Sequence, residues 1–284
     1  MKIQVIVLNW NGRDDTLACL ESLRNQTSTD FFVRIVDNAS SDDSVNAIRE
    51  KFPEFEILEL DKNYKYAGGN NRGTSNIQHP ISVDEIENHK YLMFLNNDTI
   101  LAEDCIEKLL EEVEKYPNLG VAGTKIYYKF PSQKIWSAGG IVQLWKGKIA
   151  HIGIRENDSG QFDEPKIVNY VTGAAMLIPS KIWFEIGGFD ESFSMYGEDV
   201  DLCLRVTKLG KEIRYFPSAK VWHSISASTG GEFSIYKMKQ KVKALFKIIV
   251  LHGKWWHFFT APVFFGISSV FQIVKLSGKD TDDK

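Results

Sequence analysis

The feature that most constrains this chain is a repeated order of short apolar run, polar cluster and helix-like segment. Four runs are rich in β-branched, aliphatic and aromatic side chains, as is typical of buried strands, namely residues 3–8, 32–36, 56–60 and 91–95. Polar clusters starting at Asn9, Asp37 and Asn96 follow three of them. The alternation predicts an α/β sheet with parallel strands covered on both faces. The clusters then lie at the carboxyl ends of strands, where open α/β sheets bind ligands.

Beyond about residue 117 the pattern changes. Longer β-like runs cover residues 121–128 and 168–178, and a helix is expected near residues 199–209. With 43% hydrophobic and 25% charged residues, the composition is that of a globular protein and excludes a disordered, collagenous or coiled-coil chain. A length of 284 residues suits one large domain with an extension. Nothing in the pattern calls for nucleic acid as a partner.

The cysteines and the first residues both favour an intracellular protein. The three cysteines are widely separated and form no C-x-x-C pair, so we expect reduced thiols in the core. The opening residues pass directly into a strand pattern without the apolar stretch and cleavage site of a signal peptide. We therefore expect a cytoplasmic location.

Residues 233–284 differ from the rest in charge and pattern. After Glu232 no acidic residue occurs until Asp280, whereas eight lysines lie between them. Apolar side chains recur at helical spacing, at Met238, Val242, Leu245, Phe246 and Ile249. This segment is therefore predicted to form a basic amphipathic helix followed by an apolar segment.

The apolar segment, residues 255–274, has no formal charge and just reaches the length of a membrane span. Its proline, glycine, serine and histidine residues make a poor hydrocarbon segment, so we expect peripheral attachment to the anionic inner face of the cell membrane. Two alternatives are open: a helical pair folded against the rest of the protein, or a surface for a protein partner.

Five short motifs follow one another in a familiar order: Asn9-Trp10-Asn11, Asp37-Asn38-Ala39-Ser40, Asn96-Asn97-Asp98, Gly187–Glu191 with Gly197–Asp201, and Val221-Trp222-His223. Over about residues 3–225 this order resembles the family-2 glycosyltransferases with the GT-A fold, especially the rhamnosyltransferase and galactofuranosyltransferase branch. The resemblance implies an α/β fold with a Rossmann-like mixed sheet flanked by helices. It implies a domain over residues 1–232, with a nucleotide-binding half to about residue 116 and an acceptor-binding half from about 117, followed by the helical extension over 233–284.

By this resemblance, Asp98 and His223 would hold a divalent cation, Mn²⁺ or Mg²⁺, that bridges the phosphates of a sugar nucleotide. The family pattern is usually Asp-x-Asp, whereas this chain has Asn96 at the first position, which lowers the negative charge of the site. Asn96-Asn97-Asp98 is also good turn chemistry. A lone His beside Trp222 can equally be a packed, hydrogen-bonded residue.

The nucleotide is expected along the same edge. Asp37 can accept the imide N–H of uracil or thymine, with Asn9 and Asn11 lining the base pocket; its structural alternative is an Asx turn before Ser40. Asn96 and Asn97 are expected beside the nucleotide. The Gly-rich segment 67–73 is expected to approach the phosphates at a helix start, and it carries the remaining two candidates, Asn70 and Arg72.

The acidic group Glu198, Asp199 and Asp201 lies where a helix begins. By resemblance, Asp199 is the general base and Glu198 binds or orients the acceptor. A carboxylate is a sufficient base because the acceptor hydroxyl becomes acidic as its oxygen bonds to the anomeric carbon. The structural alternative is an acidic helical turn that complements the helix dipole, with Asp201 paired to Arg205.

The sequence therefore favours an inverting glycosyltransferase. We expect a dTDP- or UDP-linked donor, possibly of rhamnose, and a saccharide or lipid-linked acceptor hydroxyl in cell-surface polysaccharide synthesis. Two other classes remain open. A sugar nucleotidyltransferase would carry its Gly-rich phosphate loop after the first strand, where this chain has Asn9-Trp10-Asn11-Gly12. A non-catalytic sugar-nucleotide-binding protein would agree with the Asn at position 96.

Overall fold

A computed structural model describes residues 3–74, 90–224 and 235–264. Its helices are α1 (Arg13–Arg24), α2 (Ser44–Lys51), α3 (Lys65–Gly73), α4 (Cys105–Val113), α5 (Ser180–Ile186), α6 (Glu198–Lys208) and α7 (Ile235–His252), and residues 257–264 are also helical. Its strands are β1 (Ile3–Asn9), β2 (Phe31–Asp37), β3 (Glu56–Glu59), β4 (Tyr91–Asn96), β5 (Thr99–Leu101), β6 (Leu119–Tyr128), β7 (Ile135–Ser137), β8 (Gly140–Gln143), β9 (Lys148–His151), β10 (Lys166–Ile167), β11 (Ala175–Pro179) and β12 (Glu212–His223).

The main sheet has the strand order β10-β12-β6-β11-β4-β1-β2-β3, with β5 paired to β12 and β7 paired to β6. Strands β1 to β4 are mutually parallel, as the alternating sequence pattern predicts. In the register, Asn9 lies opposite Asp37 and Leu8 lies opposite Asn96. The three polar clusters are therefore neighbours at one edge of the sheet.

The part of the chain after residue 117 makes the sheet mixed, because β11 is antiparallel to both β4 and β6. The predicted strand over residues 168–178 is shorter than expected, since the strand itself covers only Ala175–Pro179. The preceding segment leaves the sheet because Gly173 uses its backbone groups elsewhere. Its N–H donates to Asp199 and its carbonyl accepts from Tyr66.

Alternating side chains of the central strands fill a core on each face of the sheet. On one face, Ile3, Val5 and Val7 of β1 pack in a cluster with buried residues of α1, α2 and α4. On the other, Ile6 belongs to a cluster that includes buried residues of α3, α5 and α6. Both layers hold the strand ends rigidly, so the loops that follow them start from fixed positions.

The Gly-rich segment forms most of α3, which begins at Lys65. A Cβ at Gly69 would lie 2.5 Å from Leu8 Cδ1, and one at Gly73 would lie 2.8 Å from Ile6 Cγ2. The glycines therefore allow α3 to pack closely on the sheet. Because its later residues contact earlier residues of β1, α3 runs away from the strand-end edge.

The extension is folded against the rest of the chain over its described part, as one of the alternatives allowed. Ala244, Ile248 and Ile249 of α7 are buried. Phe264 stacks edge-on against Trp145 with ring centroids 5.1 Å apart. Within residues 3–74, 90–224 and 235–264, no helix combines the length and the hydropathy that crossing a bilayer requires. The predicted domain boundary at residues 232–233, and the part of the apolar segment beyond residue 264, lie outside the described residues.

Candidate active site

The ends of β1 and β2 carry a closed hydrogen-bond network. Asn9 is fully buried, and its Nδ2 donates to Asp37 Oδ1 at 2.8 Å and to Ser40 Oγ at 3.1 Å. Thr16 Oγ1 donates to Asn9 Oδ1 at 2.8 Å. Asp37 Oδ2 accepts from the backbone N–H of Ser40 at 2.9 Å, which is the Asx turn considered from the sequence. Asn9 and Asp37 thus have a structural role, and their contact with a nucleobase stays a prediction.

Asn11 and Asn97 connect this network to the neighbouring loops. Asn11 has a φ of +51°, which Asn tolerates better than most residues, and its Oδ1 accepts from the backbone N–H of Ser41 at 2.7 Å. Asn97 Nδ2 donates to Thr16 Oγ1 at 2.9 Å and to Asn9 Oδ1 at 3.2 Å. The three loops therefore form a single polar edge.

Asp98 and His223 meet beside this edge. β5 begins at Thr99, directly after Asp98, and in its pairing with β12 Thr99 lies opposite His223. His223 Nε2 is 3.0 Å from Asp98 Oδ1 and 3.4 Å from Asn96 Nδ2. Asp98 and His223 are both buried. The structure thus brings together both predicted metal ligands and the Asn that stands at the usual Asp position.

These residues suit a divalent cation whose other ligands come from the substrate. Within the described residues, no three His, Cys, Asp or Glu side chains converge on a point that could hold a metal. Mg²⁺ is commonly bound by one or two carboxylates with substrate phosphates, and Mn²⁺ also accepts imidazole. His223 directs Nε2 to Asp98, while its buried Nδ1 has no hydrogen-bond partner in the described part of the chain. Asp98 and His223 therefore fit as a pair of protein ligands that a diphosphate would complete.

Glu198 and Asp199 begin α6, directly after Gly197. Asp199 Oδ1 accepts from the backbone N–H of Val200 at 2.8 Å, and Oδ2 accepts from that of Gly173 at 3.2 Å. Burial raises the pKa of Asp199, and these hydrogen bonds oppose the rise. Burial, with the neighbouring Asp199 carboxylate, raises the pKa of Glu198 to about 8. Glu198 Oε2 is enclosed and has no hydrogen-bond partner among the described residues.

A short path of hydrogen bonds connects these acids to the Asp98–His223 pair. Gly173 donates its N–H to Asp199, and the carbonyl of the next residue, Ala174, accepts from the backbone N–H of Asn96 at 3.0 Å. Tyr66 OH, from the start of α3, donates to the Gly173 carbonyl at 2.7 Å. Asn96 and Asp199 are thus bound to adjacent residues of one segment. The Asp98–His223 pair and the acids at the start of α6 therefore line the same edge of the sheet.

Two predicted nucleotide residues lie further from this edge, near the later part of α3. Asn70 is fully buried, and its Nδ2 donates to the Tyr66 carbonyl at 3.0 Å. Arg72 Nη1 is 3.0 Å from Glu191 Oε1, and the guanidinium lies 3.5 Å from the centroid of the Tyr64 ring. Arg72 connects α3 to the loop before α6, and its contact with a phosphate stays a prediction.

Sequence reasoning missed two titratable side chains near the site. Asp15, in the first turn of α1, has its pKa raised by burial and then by the Asp98 carboxylate. His151 is held neutral, since burial lowers its pKa to about 4. Trp136 stands between the imidazoles of His151 and His223, 4.6 Å from each by ring centroids. No sequence signal could have found them, because an acid in a first helical turn is ordinary and His151 lies in no motif.

Solved structures define the class of this fold. The crystal structure of GalNAc-T7 with UDP, GalNAc and Mn²⁺ superposes with a TM-score of 0.65 at 14% identity, covering 86% of this chain and 48% of that one. TarS of S. aureus, residues 1–349, gives a TM-score of 0.53 at 14% identity, covering 79% of this chain and 60% of that one. The fold is therefore that of the GT-A glycosyltransferases, as expected from the sequence.

Sequence comparison then identifies the family. The Glycosyl transferase family 2 model matches residues 4–182, so the chain belongs to the family-2 glycosyltransferases. N-acetylglucosaminyl-diphospho-decaprenol L-rhamnosyltransferase of Mycobacterium tuberculosis is 25% identical over 268 residues, which cover 89% of this chain and 86% of that protein. The resemblance to the rhamnosyltransferase branch is confirmed. The protein is a glycosyltransferase of glycan synthesis.

Proposed function

We propose that this protein transfers a sugar, with inversion at the anomeric carbon, from a dTDP- or UDP-linked donor to a hydroxyl of a saccharide or lipid-linked acceptor in cell-surface polysaccharide synthesis. The observation that carries the proposal is the common edge shared by the Asp98–His223 pair and the Asp199 carboxylate, connected through Gly173 and Ala174. If the Asp98–His223 pair holds the diphosphate of the donor, the sugar of the donor would face Glu198 and Asp199.

In the proposed reaction, the acceptor oxygen forms a bond to the anomeric carbon while the bond from that carbon to the diphosphate oxygen breaks. The hydroxyl proton passes to Asp199, and the nucleoside diphosphate leaves. A buried carboxylate with a raised pKa is a stronger base than an exposed one. Asp98 and His223 would hold a divalent cation, which neutralises charge on the leaving diphosphate when bound.

Glu198 complements this base by carrying a proton. Burial and the neighbouring Asp199 carboxylate raise the pKa of Glu198 to about 8, which favours a protonated carboxyl group at this position. The enclosed Oε2 has no partner in the described residues. We expect a hydroxyl group of the acceptor to bond to the Glu198 carboxyl group, which would orient the attacking oxygen toward Asp199.

The donor and acceptor assignments draw support from relatives. The mycobacterial relative is named for transfer of L-rhamnose to a diphospho-decaprenol-linked sugar. A Myxococcus xanthus relative, 26% identical over 234 residues that cover 78% of this chain and 17% of that protein, is named as an O-antigen biosynthesis protein. These names favour a deoxyhexose donor and a saccharide acceptor on a lipid carrier.

A lipid-linked acceptor agrees with the outer face of the extension. Met238, Val242 and Phe246 of α7 are exposed, Phe246 to 60%. Trp255 and Phe259 continue this apolar surface, with exposed fractions of 76% and 70%. The lysines of α7 add positive charge. Such a surface suits the headgroup region of an anionic membrane, so we propose peripheral attachment to the cytoplasmic face of the cell membrane.

The reaction is tested with the full chain and a panel of UDP- and dTDP-linked sugars, with and without Mn²⁺. We expect cation-dependent release of the nucleoside diphosphate from one donor, and NMR of the released sugar should give the inverted anomer. Thermal stabilisation by a nucleotide sugar without turnover would instead indicate a binding protein. Synthesis of a nucleotide sugar from a sugar phosphate and a nucleoside triphosphate would indicate a nucleotidyltransferase.

Membrane attachment is tested by flotation with vesicles that contain phosphatidylglycerol, against vesicles of phosphatidylcholine alone. Phe246→Glu should reduce flotation with the anionic vesicles. Ile167→Glu is the matched control, because Ile167 is 59% exposed on β10, away from the extension. Equal flotation of the two variants would remove the extension from the proposal.

A further inference from the structure

Helix α7 packs directly on the turn that carries the catalytic acids. Gly197 precedes Glu198 and has a φ of +93°. A Cβ at Gly197 would lie 3.2 Å from Ala244 Cβ and 3.2 Å from Ile248 Cδ1, both on α7. Any side chain at residue 197 would therefore displace α7 or the turn. The extension therefore packs against the turn that precedes Glu198 and Asp199.

A buried hydrogen-bond contact connects the end of α7 to the first turn of α6. His252 Nε2 lies 2.7 Å from Asp201 Oδ1, and each side chain is at most 5% exposed. The other oxygen of Asp201 accepts from Arg205 Nε at 2.8 Å, so the expected Asp201–Arg205 pair is present. The Asp201 carboxylate is therefore held on both sides, by the extension and by its own helix.

Further contacts extend this connection into the loop before α6. Arg205 donates to the Ile186 carbonyl at 2.9 Å and to the Gly188 carbonyl at 2.8 Å. Lys247 of α7 lies 3.3 Å from Asp190 Oδ2. The segment over residues 187–197 is thus fixed near its start by Arg205 and in its middle by α7. A single set of contacts determines where this segment and the start of α6 lie.

We propose that His252 is a positioning residue for sugar transfer, which acts through Asp201 to hold the first turn of α6 and with it the carboxylate of Asp199. The proposal rests on the proposed function for its kinetic consequence. Asp201 lies two residues after Asp199, and its N–H donates to the Gly197 carbonyl at 2.8 Å, so the two acids share one helical turn. A shift of about 1 Å in a reacting group can reduce turnover about 100-fold.

The geometry of His252 allows a discriminating set of variants. Gln places an amide nitrogen near the position of Nε2, so His252→Gln can still donate to Asp201. His252→Ala and His252→Asn cannot reach it in the same way. Lys208→Ala is the matched control, because Lys208 Nζ contacts the Leu251 carbonyl at 3.5 Å across the same pair of helices, at the opposite end of α6.

Two measurements on the full chain test the proposal. The first is amide hydrogen exchange in peptides that cover residues 187–199, which needs no substrate. We expect about fivefold or greater acceleration in His252→Ala and His252→Asn, near wild-type exchange in His252→Gln and Lys208→Ala, and unchanged exchange in β1 and β4. The second is steady-state kinetics with the donor that the wild type uses. We expect kcat to fall at least about tenfold in the Ala and Asn variants while the donor KM stays within about twofold.

The outcomes separate this proposal from the proposed function. If the wild type turns over no donor, the proposed function fails, and hydrogen exchange alone still decides whether His252 holds the segment. Wild-type exchange and kcat in His252→Ala would overturn the positioning role. Equal losses in Lys208→Ala, or exchange that rises throughout the sheet, would indicate general destabilisation and would also overturn it.

Discussion

The loops after β1 and β2 and the start of α6 are both polar, yet they differ in how many of their polar groups have a hydrogen-bond partner. Asn9 and Asp37 are buried and bind each other as well as Ser40. At the start of α6, Glu198 Oε2 finds no partner within the part of the chain that the structure describes, and burial raises the pKa of both acids. Buried polar groups that are paired maintain architecture, whereas buried acids with raised pKa values are typical of functional sites.

The largest effect should come from the acids at the start of α6. Asp199→Asn removes the proposed base while keeping the size of the side chain, so we expect kcat to fall by about 100-fold to 10,000-fold. Donor affinity should stay close to that of the wild type, because Asp199 is assigned to the acceptor proton.

The rate of donor turnover measures the fall in kcat, and thermal stabilisation by the donor measures the donor affinity. Asp199→Asn and the exposed control Asp14→Asn are compared under the same conditions. Parallel loss of donor binding and turnover in Asp199→Asn would mean that this carboxylate binds the donor rather than serving as the base.

The next effect should appear at the Asp98–His223 pair. His223→Ala removes one predicted ligand, so we expect the Mn²⁺ concentration for half-maximal activity to rise at least about tenfold, which is about 1.4 kcal/mol. Titration of activity with Mn²⁺ measures this change. His257→Ala is a control at a His of the extension. An unchanged Mn²⁺ requirement in His223→Ala would leave His223 with a packing role beside Trp136.

The hydrogen-bond network around Asn9 predicts an effect on the stability of the protein. Asn9→Ala would leave Asp37, Thr16 and Asn97 without one hydrogen-bond partner each. Since an unsatisfied buried polar group costs about 1–3 kcal/mol, we expect the free energy of unfolding to fall by about 2 kcal/mol or more. Urea unfolding measures it. Asn11→Gly is the control, because glycine accepts a φ of +51° and Asn11 is exposed; an equal loss there would mean that burial is not the cause.

This contrast also explains how far the sequence could predict the structure. Strands β1 to β4 were predicted to within about one residue because apolar runs end in polar clusters, and the register of parallel strands then brings Asn9 beside Asp37. The short strand β5 was not predicted. The Asp201–Arg205 pair was predictable because helical spacing alone determines it.

Contacts between distant segments could not be predicted in the same way. The glycines of α3 suggested close approach to the phosphates, because nothing local indicates that they face Leu8 and Ile6. Helix α7 has apolar residues on more than one side, so periodicity could not show that Ile248 packs inward while Phe246 faces solvent. The pairing of His252 with Asp201 spans 51 residues and leaves no trace in local pattern.

The smallest predicted effect is a pH dependence of stability that comes from Glu198. The pKa of Glu198 rises from 4.5 to about 8 on folding, so the folded state binds this proton more tightly than the unfolded chain does. The stabilisation from that proton is complete below pH 4.5 and is lost as the pH rises through about 8. Glu198→Gln cannot lose a proton there. We therefore expect the variant to be more stable than the wild type by about 1 kcal/mol or more above pH 8, since one pKa unit corresponds to about 1.4 kcal/mol.

Urea unfolding of wild type and Glu198→Gln between pH 5 and pH 9 measures this difference, with Glu185→Gln on the exposed side of α5 as the control for removing one charge. Titration of Asp201 does not affect this difference in the free energy of unfolding. Its pKa is lowered by His252 and Arg205 against the effect of burial, so its contribution is lost only as the pH falls through its folded value, below the window of the experiment. Parallel stability curves for wild type and Glu198→Gln would show that Glu198 is as well solvated as an exposed acid, and the distinction between the two regions would then rest on Asp199 alone.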